Sequence, residues 1–198
     1  MYLTSMHDPG LVILPTHRVL ASSAGFTASD LMVKLGRHFR IASCPRTSRE
    51  EFYTRLRQAP RQSRVGIALS GTDDLVIATV DNASALDAYA ADLTPAVRHL
   101  DVALLDTVIL RGLMALDCTA AAHDGQLTYT HDDDEALDAV EHGAQAAFLM
   151  NPPRIEDVQA VCLAGETMPE KSTYFHPKLP TGLVFNLLEA DDARATAS

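Results

Sequence analysis

Three polar stretches of this 198-residue chain carry side chains suited to anion binding and proton transfer. The longest runs from Met168 to Gly182 and sets Lys171, Ser172, Thr173, His176 and Lys178 between Pro169, Pro177 and Pro180. Lysines are compact positive charges suited to a phosphate or carboxylate, and Ser172 and Thr173 can donate hydrogen bonds to the same anion. The prolines fix the backbone at low entropy cost. Glu170 is the one acid in the stretch. The second stretch is Pro15-Thr16-His17-Arg18. Arg18 offers a planar fork of donors, and histidine exchanges protons near neutral pH. The third is Asn151, directly after the apolar run Ala146–Met150. Two of the three follow apolar runs that read as strands, and α/β folds place ligand sites at strand ends. We therefore expect Arg18, Asn151, Lys171, Ser172, Thr173 and Lys178 to bind an anion, with His17 and His176 as acid–base groups. Arg18, Asn151 and Lys171 should then meet at one pocket. The competing reading is structural: Tyr174 and Phe175 plug a core, the lysines are solvated, and His17 and Arg18 satisfy loop carbonyls.

Other chemistries lack their patterns. The Walker A spacing, the G-x-G-x-x-G fingerprint, the G-x-S-x-G elbow and H-E-x-x-H are absent from the sequence. Cys44, Cys118 and Cys162 are few, odd in number and far apart, which suits free thiols in a reducing cytosol. No Cys/His cluster has zinc-ligand spacing. Asp132-Asp133-Asp134-Glu135 invites a metal, but acids in a first helical turn complement the backbone dipole without one, so no metal site is expected. His7, His38, His99, His123, His131 and His142 are scattered, and most read as surface residues.

Charge is uneven. The chain carries 26 Asp+Glu against 16 Lys+Arg, a formal net charge of −10. That argues against nonspecific binding to nucleic acid or anionic membrane by the whole surface. Yet Lys34 to Arg64 is strongly basic, with Glu50 and Glu51 its only acids. It lacks aromatics interleaved for base stacking, so a solvated helix face is favoured over a nucleic-acid surface. No apolar run reaches the ~18–20 residues that cross a bilayer. Met1–Thr16 has no basic n-region and contains Asp8, unlike a secretory leader. A cytoplasmic location is expected.

The positioning elements follow from periodicity. Leu11–Leu14 reads as a buried strand, followed by a turn at Thr16-His17-Arg18. Ser29 or Asp30 caps a helix over Leu31–His38, and Phe39–Ser43 is a strand. Ser48 with Glu51 forms a capping box for a helix through Leu56. Val65–Leu69 and Leu75–Val80 flank turn residues and predict a hairpin. Val102–Leu116 is apolar nearly all round, so it is buried between layers. Next come a strand at Gln126–Thr130, a helix to His142, a strand at Ala146–Met150, a helix at Ile155–Leu163 and a strand at Leu183–Leu188. The sum is an α/β or α+β fold: a mixed β-sheet with helices packed on it, one compact domain over residues 1–189, and a frayed tail at 190–198.

His7-Asp8-Pro9-Gly10-Leu11 with Ile13-Leu14-Pro15-Thr16-His17-Arg18, then Phe148-Leu149-Met150-Asn151-Pro152, and above all Met168–Lys178 with Thr181-Gly182-Leu183-Val184, resemble signatures of the family catalogued as domain of unknown function 1015. The resemblance runs from Tyr2 to Leu188. It implies no settled activity. Full-length members have about twice this length and carry an upstream Asp-Gly-His-His-Arg-type motif like that of ParB-like nucleotide-binding proteins. Some ParB-like relatives phosphorylate free serine with a nucleoside phosphate. This sequence lacks that motif and resembles the C-terminal half alone. The resemblance thus implies the anion- and substrate-binding half of a small-molecule, serine-like phosphotransferase, incomplete by itself. A nucleotide cofactor would sit mostly on the missing N-terminal half or a partner chain; the expected partner is an N-terminal-half chain or a second copy in a homo-oligomer. The alternative is a non-catalytic module that binds an anionic metabolite or docks onto a protein.

Overall fold

The computed structural model describes residues 4–58, 63–80, 89, 91–178 and 182. The expected strand at Leu183–Leu188, Thr181, and the division of residues 1–189 from a tail at 190–198 lie wholly or partly outside these residues.

Strands β1 (Val12–Leu14), β2 (His17–Leu20), β3 (Phe39–Pro45), β4 (Arg64–Leu69), β5 (Asp74–Val80), β6 (Leu127–Thr130), β7 (Ala146–Leu149) and β8 (Tyr174–His176) alternate with helices. The helices are α1 (Ala28–Leu35), α2 (Arg49–Arg57), α3 (Pro95–Arg98), α4 (Asp101–Ala103), α5 (Cys118–His123), α6 (Asp133–Glu141) and α7 (Ile155–Leu163). α4 runs directly into a π-helix, Leu104–Leu113. Six strands form one sheet in the order β3-β5-β4-β7-β2-β6, while β1 and β8 form a separate ribbon. The α/β character is as expected, and among the described residues every ladder pairs antiparallel instead of mixing directions. A parallel pair would need a crossover that returns the chain in the same sense; here each connection leaves the next neighbour reversed. Among the described residues no helix is long and apolar enough to cross a membrane.

Side chains alternate across each strand, so the sheet has two buried faces. On β4, Val65, Ile67 and Leu69 join one core with α1, the π-helix and Val161 of α7. Ala68 joins a second core with Phe52 and Leu56 of α2 and Leu137 and Val140 of α6. The burial expected of Val102–Leu116 is present, with Leu105, Val108, Ile109 and Leu110 almost wholly covered. Its winding differs from the expected α-helix: the Met114 amide donates to the Ile109 carbonyl at 3.0 Å, one residue beyond the α spacing.

Four local expectations change. The strand expected to be buried at Leu11–Leu14 is β1, whose Val12 is exposed and whose Ile13 and Leu14 are half-buried, because it pairs with β8 outside the main sheet. Thr16-His17-Arg18 is not a turn; His17 and Arg18 begin β2, because the chain breaks only at Pro15-Thr16 between β1 and β2. α1 starts earlier, at Ala28, because the Thr27 hydroxyl accepts the Asp30 amide at 3.2 Å. Ser48 precedes α2 but its side chain makes no capping bond. α5, in an Ala-rich stretch, is capped by Asp117, which accepts the Thr119 and Ala120 amides at 3.0 Å.

Part of the basic stretch is neutralised inside the fold. Arg49 of α2 meets Asp134, Asp138 and Glu141 of α6 at 3.3, 2.8 and 2.7 Å. Tyr53 donates to Asp134 at 2.8 Å, and Arg57 pairs with Asp133. Burial, and then the bond to Asp134, push the Tyr53 phenol well above its ordinary range. The acids at the start of α6 therefore answer α2 across one face of the sheet.

α2 can lie this close because β4 has a glycine beneath it. A Cβ on Gly66 would stand 2.7 Å from Phe52 Cζ and 3.0 Å from Leu56 Cδ2. Gly66→Ala should destabilise the fold by about 1–3 kcal/mol through overpacking, read as a lower urea midpoint with an unchanged slope.

Candidate functional site

One cavity of about 690 Å³ opens at the end of the sheet where β7 finishes and β2 and β4 begin. Thr16 and Arg18 come from β2 and the residue pair before it, Met150–Arg154 from the loop after β7, and Leu56–Gln58 from the end of α2. Ser63 and Arg64 open β4, His99–Val102 join α3 to α4, and Ser172 comes from the proline-rich stretch.

Arg18, Asn151 and Ser172 thus share one cavity, as the expected convergence requires. Lys171 is exposed beside Ser172 and outside the cavity wall. Its φ of 54° is left-handed, and this turn brings Ser172 inward, where its hydroxyl donates to the Pro169 carbonyl at 2.5 Å. Thr173 and the exposed His176 and Lys178 also lie off the cavity wall. His176 pairs with Val12 on the β1–β8 ribbon, and Lys178 Nζ rests 4.2 Å from the centre of the Tyr174 ring. His17 is fully buried and does not line the cavity. As neighbours on one strand, His17 and Arg18 point to opposite faces.

Arg18 is 2% exposed. Its guanidinium donates to the Thr16 carbonyl at 2.6 Å and to Asp106 of the π-helix at 2.9 Å. Among the described residues its buried Nε meets no hydrogen-bond acceptor. Burial pushes the Asp106 carboxyl above its usual range, and Arg18 and Arg111 pull it back only in part. Arg154 forks onto Asp157 at 3.0 and 2.5 Å. Arg64 differs: its Nη1 donates to the carbonyls of Arg55 and Gln58 at 2.9 and 2.6 Å, neither of which carries charge.

Asp101, the first residue of α4, was not singled out from sequence. It is the group here best suited to take a proton. Burial pushes its carboxyl up to about 6, despite hydrogen bonds from Asn151, Ser63 and the Arg64 backbone amide that pull the other way; Asp157 adds to the rise. The Asn151 amide lies 3.5 Å from Asp101 and also donates to the Leu56 carbonyl at 3.2 Å. A carboxylate with affinity for protons near neutral pH, in a cavity with an arginine whose charge meets no carboxylate among its described partners, can accept a proton from a bound hydroxyl or amine while an anion is held nearby. The sequence offered one signal, an acid just ahead of a helix that is apolar nearly all round. An acid at that place reads equally well as a cap.

The sequence pattern of the family described as "Protein of unknown function (DUF1015)" matches residues 1–103, just over half the chain. The chain belongs to the DUF1015 family. That matched half of the DUF1015 sequence supplies Arg18, Arg57, Arg64 and Asp101, and the second half supplies Asn151, Arg154 and Ser172. No curated protein matches it. Among solved structures, a conserved hypothetical protein from Pyrococcus furiosus is similar at a TM-score of 0.47 and 13% identity, covering 89% of this chain and 61% of that one. A mutant free serine kinase in complex with AMP is similar at a TM-score of 0.45 and 11% identity, covering 87% of this chain and 56% of that one. The same kinase mutant in complex with ADP gives 0.45 and 10%. The chain thus spans well under two thirds of these proteins.

The raised pKa sets a testable sign. An acid whose folded pKa lies above its unfolded value destabilises the fold once ionised. The cost is absent below about pH 4, grows through pH 4–6 and is complete above about 6. Asp101→Asn should therefore be more stable than wild type at pH 7–8, by at most about 3 kcal/mol, with the difference vanishing near pH 4. Urea melts at a series of pH values check this.

Proposed function

We propose that this chain is the anion- and substrate-binding part of a small-molecule phosphotransferase, acting on a serine-like hydroxyl metabolite, and that Asp101 is its general base. The observation that carries the reading is the buried Asp101 carboxylate with its raised proton affinity, in one cavity with Arg64. Phosphoryl transfer asks a protein chiefly for positioned positive charge and a group oriented to take the hydroxyl proton. In the proposed step the substrate oxygen bonds to phosphorus of a nucleoside phosphate, its proton passes to Asp101, and the bond from phosphorus to the donor's leaving phosphate breaks. Arg64 holds the acidic group of the metabolite. Arg18, Asn151 and Ser172 shape the floor, and Leu56, Leu100, Val102 and Met150 give an apolar wall. The nucleotide is held by a separate N-terminal half or partner chain. Lys171, Thr173 and Lys178 then serve at the mouth, or against that second part. A cytoplasmic location fits the three free thiols.

The test is a thermal-shift and calorimetric series with inorganic phosphate, serine, O-phosphoserine and ADP. O-phosphoserine at 100 times its dissociation constant should stabilise the chain by about 2.7 kcal/mol. Arg64→Gln should weaken that binding at least about tenfold. Asp101→Asn should keep the binding, yet lower serine phosphorylation from ATP in the presence of the N-terminal half by about 10²–10⁴. If no phosphorylated ligand shifts the wild type, or Arg64→Gln responds like it, the site is wrongly assigned. Binding with no turnover under any pairing would favour the non-catalytic module.

A further inference from the structure

Arg57 is the last residue of α2 and lines the cavity. It is half exposed, and a long side chain at a helix end would ordinarily sample many rotamers. Here it is tied down from below. Its guanidinium pairs with Asp133 Oδ2 and lies 5.3 Å from the centre of the Tyr53 ring. The other oxygen of Asp133 stands 3.2 Å from His17 Nε2, bent from ideal hydrogen-bond alignment. On the far side of that ring the Met150 amide donates to Nδ1 at 3.0 Å. An imidazole that accepts on Nδ1 carries its proton on Nε2, facing the carboxylate. Burial pushes the Asp133 carboxyl up, but His17 and Arg57 outweigh it and hold the group below the usual range. Met150 and Arg57 stand on different walls of the cavity, and His17 and Asp133 bridge them beneath it, on the opposite face of the sheet from Arg18.

We propose that His17 and Asp133 are positioning residues: together they fix the Arg57 guanidinium at the cavity wall, relative to the Met150–Asn151 loop, as a second anion contact beside Arg64. This rests on the anion-site reading above and deepens it. His17 acts on the ligand only through Asp133 and Arg57, so its effect must disappear when Arg57 is gone. A merely structural histidine would not behave in that way.

The experiment is a double-mutant cycle with O-phosphoserine and inorganic phosphate as probes, together with NMR of the Arg57 Nη–H protons in the ligand-free chain. His17→Gln and Asp133→Asn should each weaken probe binding by about tenfold in the wild-type background and leave it unchanged in an Arg57→Gln background. Both should convert slowly exchanging, slowly rotating Arg57 Nη–H protons into fast ones, because it is Nη2 that pairs with Asp133. Asp133→Asn is the second variant in case His17→Gln unfolds the chain. Were Asp133 a competitor for Arg57 instead of its support, Asp133→Asn would tighten phosphate binding, and the proposal would fall. It falls too if the effects persist without Arg57, or if the Arg57 signal is the same in all three proteins. A wild type that binds no probe but loses its Arg57 signal on His17→Gln supports the bridge and sinks the anion-site reading. Probe binding with no change in that signal sinks the bridge alone.

Discussion

The two-residue alternation along β2 is the constraint on which the site depends. His17, Arg18, Val19 and Leu20 are all buried, so no face of this strand meets bulk water. A polar residue at each of the first two positions must therefore find a partner on its own side of the sheet. Arg18 finds Asp106 on the π-helix side, and His17 finds Asp133 and the Met150 amide on the α6 side. Either side chain left unpaired would carry a large desolvation cost. The strand thus commits two helical layers to definite positions at one end of the sheet, and the cavity is what remains between them.

The same economy of charge runs through the molecule. A net charge of −10 suggests an acidic surface, and Lys34–Arg64 a basic one. The fold sets one against the other: Arg49 spans three acids of α6, and Arg57 reaches a fourth. Each exposed pair is worth little alone, but the group orients α2 and α6 over β4 and places the end of α2 at the cavity. Arg64 is held there by the Arg55 and Gln58 carbonyls, and Asp101 by hydrogen bonds from neutral donors.

Local patterns carried much of the fold. The β4–β5 hairpin, β7, α6 with its acidic first turn and α7 lie where hydrophobic period and turn residues place them. Short-range signals are strong there because a single period dominates each window. They failed at Thr16–Arg18, where polar residues after a proline read as a turn although His17 and Arg18 pair with β6, and Arg18 also with β7, over a hundred residues away. They also passed over Asp101. Its proton affinity comes from burial and from Asn151, fifty positions on, and no window of sequence contains both.

By itself the sequence determined the alternation of helices and strands, the buried nature of Val102–Leu113 and the three polar stretches worth watching, because each is a property of neighbouring residues. Only the tertiary structure decided which of those residues share a cavity. It brought Arg18, Asn151 and Ser172 together, set His17 on the other face, left Lys171, Thr173, His176 and Lys178 off the wall, and added Asp101, Arg57 and Arg64. The physical reason is that a site is made by desolvation and by charge meeting charge in space. Both depend on which strand lies beside which, and that is settled by pairings between distant parts of the chain.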